Sequence, residues 1–139
     1  VNAPVPAAAP VCIARVLLVE DNPVNLLVAR TLLTELGADV GVAHNGIEAL
    51  ELLHAEPWHL VLMDCQMPEM DGYEATRRWR AHEQARGAAT RLPIVAVTAN
   101  ALPADRARSF DAGMDDHLAK PYRTADLKDL LARFCPPAG

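Results

Sequence analysis

Cysteine is scarce in this chain of 139 residues: Cys12, Cys65 and Cys135 are the only three. The number is odd and the spacings fit neither a disulfide framework nor a zinc site. Reduced thiols and a cytoplasmic setting are the simplest expectation. Long apolar runs are also missing. None approaches the roughly 20 residues that a membrane-spanning helix needs, so no direct membrane contact is expected of this chain. There is no cluster of basic residues either. With 13 Lys and Arg against 18 Asp and Glu, the formal net charge is −5, and nucleic-acid binding driven by electrostatics is not expected. A secretory signal is not expected at Val1 to Pro10, which carries no positive charge and no long apolar core. Finally, no glycine-rich phosphate loop follows the first apolar run. Asp21-Asn22-Pro23 stands there instead, which argues against a nucleotide or flavin binder.

What the sequence does contain is enough apolar material for one core. Hydrophobic residues make up 51% and charged ones 22%, typical of a folded globular chain. The opening VNAPVPAAAP alternates Pro with Ala and predicts an extended tether over residues 1–13. The start at Val rather than Met reads as part of something longer. A domain is expected over 14–135, with a short tail over 136–139.

Within 14–135 two patterns alternate. Short apolar runs at Arg15–Val19, Asp39–Ala43, Leu60–Met63, Ile94–Thr98 and, less distinctly, His117–Ala119 predict strands. Segments of helical spacing separate them. Asn22 is placed to cap the first helix, with Pro23 at its first position and Gly37 as its stop. Val24, Val28, Leu32 and Leu36 recur along it at steps of four. Asn45 caps the second helix, Asp71 the third (Gly72 to about Ala85) and Thr124 the fifth; Pro103 opens the fourth, which Gly113 ends. The order βαβαβαβαβα, with strands apolar on both faces, predicts a parallel sheet covered by helices on both sides.

Ligands of such sheets bind at the carboxyl ends of the strands. Those ends carry Glu20-Asp21, Asp64, Thr98 and Lys120-Pro121. Three close carboxylates repel one another, and a hard divalent cation relieves that repulsion; oxygen ligands with retained water suit Mg²⁺. The cation and Lys120 would then clamp an anion, and Thr98 would add a hydrogen bond. A phosphoryl group fits, because its transfer needs neutralisation and alignment above all. One carboxylate would be the nucleophile, giving an acyl phosphate.

The residues Val16-Leu17-Leu18-Val19-Glu20-Asp21-Asn22, Leu62 to Gly72 (LMDCQMPEMDG), Ile94 to Ala99 (IVAVTA), Gly113 to Leu118 (GMDDHL) and Lys120-Pro121 carry a resemblance. In order and spacing the chain resembles the receiver domain of two-component response regulators, most of all receivers fused to hybrid sensor histidine kinases. The resemblance implies a flavodoxin-like fold with five parallel strands ordered 2-1-3-4-5 and five helices. It implies Asp64 as phosphoacceptor from a partner's phosphohistidine, with self-catalysed transfer and later hydrolysis. Asp21, Glu20, Asp64 and the main-chain carbonyl of Gln66 are implied as ligands of Mg²⁺, for which Mn²⁺ can substitute. Thr98 and Lys120 would hold the phosphoryl oxygens. Thr98 and His117 would form the switch, and the Lys120–Pro121 bond would be cis. The implied partners are a histidine kinase's phosphohistidine domain or a histidine phosphotransfer domain. A weak dimer through the fourth helix, fifth strand and fifth helix also belongs to this expectation, as does a place in the cytoplasmic part of an inner-membrane kinase. The free-standing receiver acting by protein contact, the phosphohydrolase with an Asp nucleophile and the unphosphorylated scaffold are the alternatives. Position 66 is Gln, where a phosphohydrolase would need an acid or base nearby.

Other residues read as quieter. Cys65 is expected to pack, and Trp79 to lie in the core or an interface. His44, His54, His59 and His82 form no metal-ligand spacing. Arg77, Arg78 and Arg80 are expected on the solvated face of the third helix. Gln66 and Asn100 occupy positions that, by resemblance, tune dephosphorylation.

Overall fold

Strand-forming runs that are apolar at every position can be stable only where both faces are covered, and that requirement sets the architecture. The computed structural model describes residues 14–87, 90–99 and 102–135. It places β1 (Arg15–Val19), β2 (Asp39–Ala43), β3 (Leu60–Asp64), β4 (Ile94–Thr98) and β5 (Asp116–Ala119) in one sheet, ordered β2-β1-β3-β4-β5. All neighbouring pairs are parallel, as in Val19 opposite Met63 and Asp64 opposite Val97. The crossovers are α1 (Pro23–Glu35), α2 (Gly46–Ala55), α3 (Gly72–Ala85) and α4 (Pro103–Ala112), and α5 (Thr124–Phe134) closes the fold. The expected tether (with Cys12), the tail and Asn100 lie outside the described residues. Among the described residues, no helix is long and apolar enough to cross a membrane.

Side chains alternate across each strand, so the sheet divides two apolar layers. Leu17, Val19, Val61, Met63 and Ala96 pack with Ala49, Tyr73 and Trp79 on the side of α2 and α3. Val16, Leu18, Leu62 and Val97 pack with Ala29, Leu33, Leu127 and Leu130 of α1 and α5 on the other. Burying one such leucine fully contributes on the order of 1.5–3 kcal/mol. Cys65 is buried in the first of these layers, as is Trp79.

Local chemistry fixes the helix starts. Asn22 accepts from the amides of Val24 and Asn25, Asn45 from Glu48, and Asp71 from Glu74. Gly113 ends α4 with φ 106°, a left-handed conformation that glycine adopts without strain. Three expectations need correction. Thr124 does not cap α5: Arg123 holds that position with no side-chain cap, and burial of Leu127 and Leu130 anchors the helix instead. On α1, Val24 and Val28 face solvent, 69% and 41% exposed, and the buried residues are Ala29 and Leu33. Steps of four drift about 40° per step around a 3.6-residue helix, so a strict four-step row winds off the buried face. Arg80 is not on the solvated face of α3. Its side chain is only 13% exposed and bonds to Glu83, Asp115 and the Gly113 carbonyl.

Candidate functional site

A parallel sheet brings every strand's carboxyl end to the same edge, and here that edge is acidic. Glu20 follows β1 directly, its amide still bonded to the Ala43 carbonyl at 3.0 Å, so the sheet itself aims this residue. Its side chain is fully buried. Asp21, the next residue, is exposed where the chain turns into α1. Asp64 is the last residue of β3 and is buried. The backbone of Lys120 bonds to the Thr98 carbonyl at 2.8 Å, and the Lys120–Pro121 bond is cis.

The side chains then interlock. The Lys120 ammonium lies 3.0 Å from Glu20 Oε1 and 3.2 Å from Asp64 Oδ2. The Gln66 amide donates to Asp64 Oδ1 at 3.1 Å, and the Asn22 amide to Glu20 Oε2 at 3.2 Å. One carboxylate oxygen each from Glu20, Asp21 and Asp64 lies within 4.8 Å of the others. Around them is an open cleft of about 360 Å³, lined also by Asn22, Asn25, Gln66, Thr98 and Lys120. A larger cleft of about 650 Å³, lined in part by His54, Trp58 and Trp79, shows no comparable convergence. Its one buried acid, Glu83, is already engaged by Arg80, Trp79 and the Leu92 amide.

Burial, and then the neighbouring Glu20, pushes the Asp64 carboxyl up to about 7. Burial opposes ionisation of Glu20 too, but hydrogen bonds from Asp64, Lys120 and the Asn22 amide hold it below its ordinary range. Of the two carboxyls, Asp64 is thus the weaker acid. Burial also works against the Lys120 ammonium, yet Glu20 and Asp64 keep its pKa above the ordinary lysine value. An all-oxygen set of crowded carboxylates is the donor set that a hard divalent cation fits.

Glu20, Asp21, Asp64, Gln66, Thr98 and Lys120 are thus brought together. His117 is not among them. It sits on β5 opposite Ala96, and its buried Nε2 has no hydrogen-bond partner among the described residues. Burial, then the charge of Arg106, lowers its pKa below the ordinary histidine value. Sequence reading missed Tyr122, which is buried and donates its hydroxyl to Glu20 Oε1 at 3.2 Å. The available signal was a tyrosine, rather than an aliphatic residue, one place beyond Lys120-Pro121.

Comparisons with known proteins point one way. The family model described as "Response regulator receiver domain" matches residues 16–132. The sensor histidine kinase GacS of Pseudomonas protegens is 44% identical over 120 residues, covering 86% of this chain but 13% of its own length. The chain thus spans a small part of that curated relative. The receiver domain of sensor histidine kinase PA1611 from Pseudomonas aeruginosa, solved with magnesium coordinated in its active-site cleft, is 45% identical. Its TM-score is 0.78, over 88% of this chain and 98% of that one. The receiver domain of Ssk1 from Saccharomyces cerevisiae was solved in complex with the histidine phosphotransfer protein Ypd1. This solved structure is 29% identical with a TM-score of 0.84, covering 88% of both chains.

Proposed function

The chain belongs to the response regulator receiver domain family, and from that premise we propose that Asp64 is its phosphoacceptor in a two-component phosphorelay. The observation that carries the reading is the position of Asp64: 3.2 Å from Lys120 and sharing a ligand-sized space with Glu20 and Asp21. Residues 14–135 form the receiver unit, and its setting is a hybrid sensor histidine kinase. The donor is a phosphohistidine of a kinase or of a histidine phosphotransfer domain. Val24 and Leu27, 69% and 66% exposed on α1 beside the cleft, give such a partner an apolar landing surface.

In the reaction an Asp64 oxygen attacks phosphorus, the P–N bond to the donor imidazole breaks, and the leaving ring takes up a proton. Glu20, Asp21, Asp64 and the Gln66 carbonyl would hold Mg²⁺, which neutralises the carboxylates and the incoming phosphoryl oxygens. Asp64 must shed its proton to act as nucleophile. Lys120 turns from its two carboxylates toward a phosphoryl oxygen, and the Thr98 hydroxyl hydrogen-bonds another. Thr98 moving inward leaves space that His117 follows into, so the α4–β5–α5 surface, with Phe110 half-exposed on it, reports the change. Water attack on the acyl phosphate ends the signal.

The test is direct. The chain is incubated with Mg²⁺ and a small acyl-phosphate donor, or with a beryllofluoride mimic, and compared with Asp64→Asn. Modification of the first that requires Mg²⁺, with none of the second, is expected. Equal labelling of both moves the acceptor elsewhere.

A further inference from the structure

A buried carboxylate needs hydrogen-bond donors at both oxygens, or it gives up its charge. Glu20 is buried against the cleft, and the chain supplies its donors. At Oε2 there is the Asn22 amide. At Oε1 there are two: the Lys120 ammonium at 3.0 Å and the Tyr122 hydroxyl at 3.2 Å. These two are not equivalent. Lys120 is shared with Asp64 and sits on the wall of the cleft, where an arriving anion competes for it. Tyr122 packs in the apolar layer beneath, against Leu127 and its neighbours, and nothing entering the cleft competes for its hydroxyl.

We infer that the Tyr122 hydroxyl is a positioning group for the cation site, holding Glu20 in place from the core side when Lys120 turns to the phosphoryl group. The inference rests on the roles given to Glu20, Asp64 and Lys120 above. With phenylalanine in place of this tyrosine the same volume is filled, but the core-side donor to Oε1 is gone. Glu20 then loses its fixed orientation, and Lys120 is drawn more firmly onto it. The hydroxyl touches no reacting atom, so it acts only through Glu20.

The experiment is a calorimetric titration of the 139-residue chain with Mg²⁺ alone, for wild type, Y122F, E20Q and the double variant. Y122F is expected to weaken Mg²⁺ binding on the order of tenfold, the scale at which groups behind a metal ligand act. The Mg²⁺ concentration that gives half-maximal labelling by a small acyl phosphate should rise in parallel. In the E20Q background, adding Y122F should cost nothing more. Wild-type affinity in Y122F overturns the inference. So does an equal loss from Y122F in the wild-type and E20Q backgrounds, which would place the effect in packing, and this comparison still decides if Y122F melts early. A wild-type chain that takes up no Mg²⁺ sinks the functional reading itself and this inference with it.

Discussion

Asp64 owes its chemistry to being a poor anion in the metal-free chain. Burial and the charge on Glu20 leave it protonated up to about pH 7, and a cation must displace that proton. Mg²⁺ affinity is therefore expected to rise about tenfold from pH 6 to pH 8, because a group with pKa near 7 goes from about one-tenth to about nine-tenths ionised. Titrations at the two pH values, in buffers of different ionisation enthalpy, should show the affinity change and about one proton released per ion at pH 6. A pH-independent affinity would mean that Asp64 is already charged when the ion arrives. The same shift bears on folding. The folded chain holds a proton that the unfolded chain gives up near its ordinary value. The stability this group contributes is thus complete below about pH 4 and lost as pH climbs through about 7. Of these residues, the acidic pair, Asp64, Thr98 and Lys120 were legible because each ends a recognisable strand. Tyr122 was not, since its value lies in reaching Glu20 across 102 positions of sequence.

At the scale of elements, the turn from β3 into α3 sets how closely the acceptor is held. Gly72 opens α3 against the end of β3, and a Cβ there would collide with the Asp64 carbonyl oxygen. Backbone cannot swing aside as a side-chain tip can. Gly72→Ala should therefore destabilise the chain by roughly 1–3 kcal/mol, the range for overpacking, and slow its labelling by displacing Asp64. Urea unfolding together with the labelling rate checks both, and a Gly72→Ala chain as stable and as fast as wild type would show that the turn is looser than it looks. Elements of this kind were readable where local chemistry decides. The doubly apolar strands, the caps Asn22, Asn45 and Asp71, and the stop at Gly113 all lie within a few residues of what they control. The buried face of α1 was not readable from a four-step row, since which side of a helix is covered depends on the sheet beneath it. Thr124 failed as a cap for a related reason: packing of Leu127 and Leu130 makes a cap dispensable there.

Across the whole molecule, reactive groups and bracing groups occupy opposite ends of one sheet. At the carboxyl edge the charges are crowded, and Asp64 is held as a weak acid. At the amino edge they are locked. Arg80 of α3 bonds to Glu83, to the Gly113 carbonyl and to Asp115, and Asp115 in turn accepts from Arg91 and from the Ile94 amide that begins β4. One guanidinium thereby ties α3, the entry to β4 and the turn before β5. Three like-looking arginines in sequence, Arg77, Arg78 and Arg80, hid this, because only the third falls on the side of α3 that meets that turn. Removing it would leave Glu83 and Asp115, 10% and 21% exposed, short of a partner. Arg80→Ala should cost about 3 kcal/mol or more, the scale for breaking a largely buried ion pair. Arg80→Lys should recover only part of that, since an ammonium cannot present a planar fork to three acceptors at once. Because the brace is a sheet's length from Asp64, Mg²⁺ affinity of Arg80→Ala, measured well below its melting temperature, should match wild type. A loss of affinity equal to that of a cleft variant would instead mean that the two ends of the sheet are mechanically coupled.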